Sequence, residues 1–260
     1  MQYFLKEGLR VHYKWIDNKK TRTFLFINSL GTDFRIWSDT VDKLRQHGNI
    51  LLFDKRGHGL SDTGTHRTTL NDYMDDALAL MDHLSIQKAV VVGLSIGGMI
   101  AQVMVGLHPE RIDRLVLCDT LPKIADPAFW NGRIEQIETK GLASLTEGIM
   151  TRWFSESFRN KFPERILFYR KMMEMCTSQG YINACMAIRD ADLTLTTKKI
   201  KSKTLCLVGS EDLSTTPAQV KELSSFIEKS AFVQVEGSAH LPCVDNPGAV
   251  SSFIIDFVNK

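Results

Sequence analysis

Three residue types that together perform acyl transfer stand at the ends of three apolar runs. They are Ser95 in Gly93-Leu94-Ser95-Ile96-Gly97-Gly98, Asp212 in Gly209-Ser210-Glu211-Asp212, and His240 closing Glu236-Gly237-Ser238-Ala239-His240. A serine hydroxyl is a poor nucleophile at neutral pH and needs a base beside it, which in turn needs a group to orient it. The order serine, aspartate, histidine suits a nucleophile carried on a strand-to-helix turn, with its partners on later strand ends. Two alternatives stand beside this set. Asp119, which ends the apolar run after Ser95, could orient the same histidine. His58, between Gly57 and Gly59, could supply the base, although a histidine in so tight a turn more often serves the fold.

The chemistry requires an element that lifts Ser95 out of the sheet. Ala89-Val90-Val91-Val92 reads as a buried strand and Met99 to His108 as a helix, leaving Ser95 at the tip of a sharp reversal. Such a turn brings its neighbours so close that the flanking positions tolerate almost no side chain, which accounts for the glycines. The hydroxyl then sits at the positive end of the following helix, where developing negative charge is favoured. A tetrahedral intermediate also needs N–H donors for its oxyanion. The amide of Ile96, next to the nucleophile, offers one. The loop Asn28-Ser29-Leu30-Gly31 offers a second, from Leu30.

The rest of the chain alternates strand and helix in the way that builds a mostly parallel sheet with both faces covered. Strands are expected at Tyr3 to Leu5, Leu9 to Trp15, Thr23 to Ile27, Ile50 to Phe53, Arg114 to Cys118, Thr204 to Val208 and Ala231 to Val235, besides the one before Ser95. Helices are expected near Phe34 to Gln46, Thr69 to Leu84, Pro217 to Ile227 and Gly248 to Val258. From Leu121 to about Thr197 strands vanish and helical periodicity takes over. An all-helical stretch between two sheet strands is most simply a lid over the sheet's edge, so residues 1–120 and 198–260 read as core and 121–197 as a cap. Ligands of such sheets bind beyond the carboxyl ends of the strands, the rim where all three residues emerge.

With 260 residues and a net charge of +2, nothing in the charge balance calls for nucleic acid or an anionic membrane as partner. No run reaches the roughly 20 apolar residues of a membrane span. The start, Met1-Gln2-Tyr3-Phe4-Leu5-Lys6, lacks the order of a secretion signal. Five scattered cysteines suit reduced thiols in a cytoplasmic protein, and neither they nor the histidines are spaced for a zinc site. No metal or cofactor is expected.

These motifs stand in the order of the α/β-hydrolase superfamily, which the chain resembles over nearly its whole length: Asp54-Lys55-Arg56-Gly57-His58-Gly59-Leu60-Ser61, the Ser95 turn, Gly209-Ser210-Glu211-Asp212 and Ala239-His240. The resemblance implies an eight-stranded, mostly parallel sheet with helices on both faces and an inserted helical lid. Within the superfamily, Asn28-Ser29-Leu30-Gly31-Thr32-Asp33, Thr151-Arg152-Trp153-Phe154 and Ala187-Ile188-Arg189-Asp190 look like the 3-oxoadipate enol-lactonases. Leu241-Pro242-Cys243, after the histidine, departs from the residues such relatives carry. The likeness implies a butenolide bearing an acetate side chain, opened by water to a 3-oxo dicarboxylate. A carboxylate under a lid must meet a cation. Arg152 lies three residues past Ile149, on the edge of the stripe Leu142, Leu145, Ile149 and Trp153, and Arg189 lies four past Cys185 and three past Met186. Either arginine could instead turn to solvent or pair with an acid, as Arg189 could with Asp192. Trp130 and Trp153 could wall the pocket or belong to the lid's core. A general esterase or carbon–carbon bond hydrolase on the same triad, and a slow-turnover ligand sensor signalling through lid movement, are the competing readings.

Overall fold

A computed structural model describes residues 1–260 as eight strands and twelve α-helices. The strands are β1 (Gln2–Lys6), β2 (Leu9–Ile16), β3 (Thr23–Ile27), β4 (Asn49–Phe53), β5 (Ala89–Leu94), β6 (Ile112–Cys118), β7 (Thr204–Gly209) and β8 (Ser230–Val235). They form one sheet in the order β1-β2-β4-β3-β5-β6-β7-β8. The first hairpin turns at Glu7-Gly8, both at positive φ, and β2 meets β4 antiparallel; every later pairing is parallel. Burial explains the division. Strands β3, β4, β5 and β7 are buried at every residue, because helices cover both of their faces, whereas β1, β2 and the edge strand β8 alternate.

The helices are α1 (Ser38–Leu44), α2 (Leu70–His83), α3 (Ile96–Leu107), α4 (Pro127–Lys140), α5 (Thr146–Trp153), α6 (Glu156–Lys161), α7 (Pro163–Glu174), α8 (Ser178–Arg189), α9 (Thr194–Thr197), α10 (Pro217–Ser225), α11 (Pro242–Asp245) and α12 (Pro247–Asn259). Local chemistry sets several starts. Thr69 and Asp72 exchange hydrogen bonds as a capping box ahead of α2, and Asp126 accepts from the Phe129 N–H ahead of Pro127. Two boundaries differ from the sequence expectation. The helix expected from Phe34 opens as a 3-10 turn, Phe34–Trp37, because the Asp33 side chain captures the Arg35 N–H before α1 can begin. Leu241-Pro242-Cys243 enters the short helix α11, with Pro242 in its first turn, where its missing N–H leaves nothing unsatisfied.

Between β6 and β7 the chain forms no strand, and its regular elements, from α4 to α9, are all helical. Buried side chains of this segment, among them Phe154, Met173 and Tyr181, belong to the same continuous core as Leu25, Val91 and Leu117 of the sheet. The parallel register aligns Ile27 with Gly93, Leu94 with Cys118, and Gly209 with Val235, so the loops after β3, β5, β6, β7 and β8 leave along one rim. No helix is long and apolar enough to cross a membrane.

Candidate active site

Ser95 sits between β5 and α3 at φ 57° and ψ −119°, a left-handed conformation costly for any residue with a β-carbon. The neighbourhood over-determines it. Its N–H donates to the Cys118 carbonyl at 3.0 Å, and its carbonyl accepts from Thr120 Oγ1 at 2.7 Å. Glycine is obligatory on both sides: a Cβ on Gly93 would lie 2.3 Å from the Gly97 oxygen, and one on Gly97 would lie 2.1 Å from the Ile27 oxygen. The glycine that makes room for the turn, Gly97, therefore also docks the start of α3 against the end of β3.

The loops after β7 and β8 hold each other. Glu211 N–H donates to the Ser238 carbonyl at 2.8 Å, and Ser210 N–H to that of Val235 at 3.0 Å. Across this junction His240 Nδ1–H donates to Asp212 Oδ2 at 2.8 Å. The same carboxylate takes hydrogen bonds from Thr215 Oγ1 at 2.6 Å and from the Ser214 N–H at 2.7 Å. Burial works to raise the Asp212 carboxyl, but the histidine and these donors outweigh it and hold it below the usual carboxylate range. With Nδ1 occupied, the imidazole keeps Nε2 free to accept a proton.

Asp119, the alternative acid, is buried at positive φ, and its Oδ1 accepts from the Gly209 N–H at 2.9 Å. Its Oδ2 has no partner. Desolvation, reinforced by the nearby Asp212 charge, pushes its carboxyl well above the ordinary range. Asp119, Asp212 and His240 bring their polar atoms within 4.8 Å of one another, yet it is Asp212 that makes the hydrogen bond to the histidine. The three are also of metal-ligating types, but the Asp212 oxygens are already filled by donors, an arrangement that suits proton transfer. His58 lies elsewhere: fully buried, with Nδ1 3.2 Å from the Arg56 carbonyl, it is kept neutral by desolvation.

A cavity of about 440 Å³ opens over this rim and is lined by Ser95, His240, Ser29 and Leu30 from the loops and by residues of α4, α5 and α8 from above. Leu30 is buried, and its N–H donates to no group of the protein, leaving a free amide beside Ser95. The Ile96 N–H opens α3, where the first-turn amides lack intrahelical partners. Trp130 and Trp153 both face the cavity, Trp130 fixed by an Nε1–H bond to the Ile124 carbonyl at 2.7 Å.

The two arginines expected at the pocket separate. Arg152 lines it. Arg189 does not: at the last turn of α8 it reaches Asp190 at 2.8 Å and Asn131 at 2.8 Å outside the cavity, so its acid is Asp190 and not Asp192. Arg133, absent from the sequence expectation, takes its place. It stands over the rings of Phe129, 4.7 Å, and Trp130, 5.1 Å, and lines the cavity together with Tyr181. The spacing was available: Arg133 follows Trp130 by three residues and Phe129 by four, one turn of α4. Neither Arg133 nor Arg152 is within ion-pair distance of a carboxylate.

A nucleophile elbow, a histidine seated on an acid from the next strand end and a helical segment over the rim define a class, and residues 22–247 match the alpha/beta hydrolase fold family, to which this chain belongs. Within it, the chain is 32% identical to 3-oxoadipate enol-lactonase 1 of Acinetobacter baylyi, over 91% of this chain and 88% of that protein. It is 28% identical to 3-oxoadipate enol-lactonase 2 of the same organism, over 94% and 91%. Among solved structures, the enol-lactonase from Burkholderia xenovorans LB400 superimposes with a TM-score of 0.96 at 31% identity, covering 100% of both chains.

Proposed function

We propose that this protein is a serine hydrolase that opens the ring of 3-oxoadipate enol-lactone to give 3-oxoadipate, a step of aromatic-compound degradation in the cytoplasm. The observation that carries the reading is the pair of unpaired arginines, Arg133 and Arg152, lining the cavity that holds Ser95 and His240. A largely apolar pocket with two free guanidinium groups suits a small acid whose carboxylate needs a partner. The enol-lactonase likeness points the same way.

In this mechanism Ser95 Oγ attacks the lactone carbonyl while His240 Nε2 takes its proton, and Asp212 stabilises the resulting imidazolium. The oxyanion falls between the N–H groups of Leu30 and Ile96. Collapse breaks the ring C–O bond and expels an enolate, a better leaving group than an alkoxide, which stays tethered to the acyl group and takes a proton from His240 to become the ketone. Water, deprotonated by His240, then attacks the acyl-enzyme and frees Ser95. Arg133 and Arg152 hold the acetate carboxylate, and Trp130 and Trp153 wall the ring. No cofactor or metal takes part. Turnover of the enol-lactone by wild type and Ser95→Ala tests the proposal: loss of at least about a thousandfold in kcat is expected, and retention of wild-type activity would refute it.

A further inference from the structure

The charged turn after β4 carries a lysine that the mechanism has not used. Lys55 is wholly buried beneath the loop that follows β3, and no carboxylate lies within ion-pair distance of it. Its Nζ instead donates to two backbone carbonyls, Asn28 at 3.1 Å and Ser29 at 2.9 Å. Placing an ammonium in the interior without a counter-ion is expensive. A methionine would fill the same space without that cost, so the charge calls for an explanation beyond packing.

The peptide bond supplies it. The Ser29 carbonyl and the Leu30 N–H belong to one planar amide, conjugated through its C–N bond. A cation on the oxygen draws electron density along that bond and makes the N–H a stronger donor, as hydrogen bonds in a chain polarise one another. The oxygen is gripped further by Thr32, whose Oγ1 and N–H donate to it at 2.9 and 3.3 Å, so this amide plane has little freedom to rotate. On its other side the Leu30 N–H has no protein partner and borders the Ser95 cavity. We propose that Lys55 is a positioning residue for acyl transfer, which fixes and polarises the Ser29–Leu30 amide so that its N–H binds the oxyanion more strongly than the ground-state carbonyl.

The charges around Lys55 leave its own ionisation decisive. Asp54 and Asp33, from β4 and the β3 loop, favour the ammonium; Asp54 is engaged with His12 and the Phe34 and Leu60 amides, and Asp33 with Arg35. Cys176, after α7, is a neutral thiol, pushed up to about 12 by burial, and the neighbouring His58 is neutral. Desolvation brings the ammonium down to about 7, so its charge is lost as pH rises through the neutral range.

The inference rests on Ser95 acyl chemistry and not on the lactone, so a neutral activated ester, p-nitrophenyl acetate, is the probe. Lys55→Met should lower kcat tenfold or more, the scale for weakening one oxyanion donor, with KM within about twofold. The inhibition constant of phenylboronic acid, whose adduct with Ser95 mimics the tetrahedral state, should rise in step with the fall in kcat/KM. Lys55→Gln, which keeps N–H donors without the charge, should show the same split to a smaller degree. In the unaltered protein kcat should pass through a maximum and decline towards pH 9, a limb absent from Lys55→Met. Wild-type kcat and boronate affinity in either folded variant would overturn the inference, as would a wild-type kcat that stays level up to pH 9. Ser95→Ala measured alongside separates the two claims: ester turnover surviving that change refutes the serine-hydrolase reading, whereas turnover that needs Ser95 but ignores Lys55 refutes only the role of the lysine.

Discussion

Arg133 and Arg152, from different helices, turn their guanidinium groups onto one ring, that of Phe129, at 4.7 and 5.7 Å from its centroid. Helices α4 and α5 thus bring two positive charges to one apolar side chain, and neither arginine forms an ion pair. Like charges held this close favour whatever anion enters.

The first prediction follows from that pairing. A charge-assisted hydrogen bond contributes about 1.5–3 kcal/mol, or roughly tenfold to 150-fold in affinity. Arg133→Met and Arg152→Met are each expected to raise KM for the enol-lactone by at least about tenfold, with kcat little changed. Hydrolysis of p-nitrophenyl acetate should be nearly unaffected. Steady-state kinetics on both substrates checks this, and equal losses on the two would remove the carboxylate role.

Arg189 provides the contrast. Its guanidinium is spent on Asp190 and Asn131, so Arg189→Ala should leave kcat/KM for the lactone within about twofold, because surface ion pairs contribute little. A tenfold rise in KM would show that the side chain swings into the pocket.

Asp119 links the site to stability. Folding raises its pKa, so the native chain keeps a proton that the unfolded chain loses above the ordinary carboxyl range, about pH 4. The native state then binds more protons, and the Asp119 contribution to stability falls as pH rises from that point. Asp119→Asn removes the ionisation while keeping an acceptor for the Gly209 N–H. Denaturant melts should show the variant gaining stability over wild type at pH 8 relative to pH 4; a constant difference would mean that Asp119 is ionised in the fold.

The Ser95 turn sets a steric limit. Gly97→Ala would drive a methyl group to 2.1 Å from the Ile27 oxygen, a backbone atom on a buried strand. A cost of about 3 kcal/mol, the upper end for overpacking, or more is expected, together with loss of Ser95-dependent turnover. Thermal melting with an ester assay measures both.

What was legible in the sequence divides along physical lines. The Ser95 turn was readable because its demands are local: a strained tip and small neighbours leave their mark within six residues. Asp212 and His240 were readable because parallel strands send their ends to one rim, so order and strand ends suffice. The pocket arginines were less so. Periodicity gives the face of a helix but not the neighbour it meets: Arg152 does line the cavity, Arg189 ends α8 outside it, and Arg133 was passed over beside Trp130. Lys55 was hidden for a different reason: in a run as charged as Asp54-Lys55-Arg56, nothing local distinguishes a solvated lysine from a buried one.

The chain around His240 is bonded to the segment above it. Its N–H points to the Arg152 carbonyl at 3.4 Å, the Leu241 N–H to that of Trp153 at 2.9 Å, and Asp245 Oδ2 takes both the Ala239 and the Ser155 amides, at 2.8 and 3.1 Å. Any hinging of α5 away from the sheet would break these bonds or carry His240 with it. The wall of the cavity that carries Arg152 and Trp153 is thereby tied to the loop that holds His240 against Asp212.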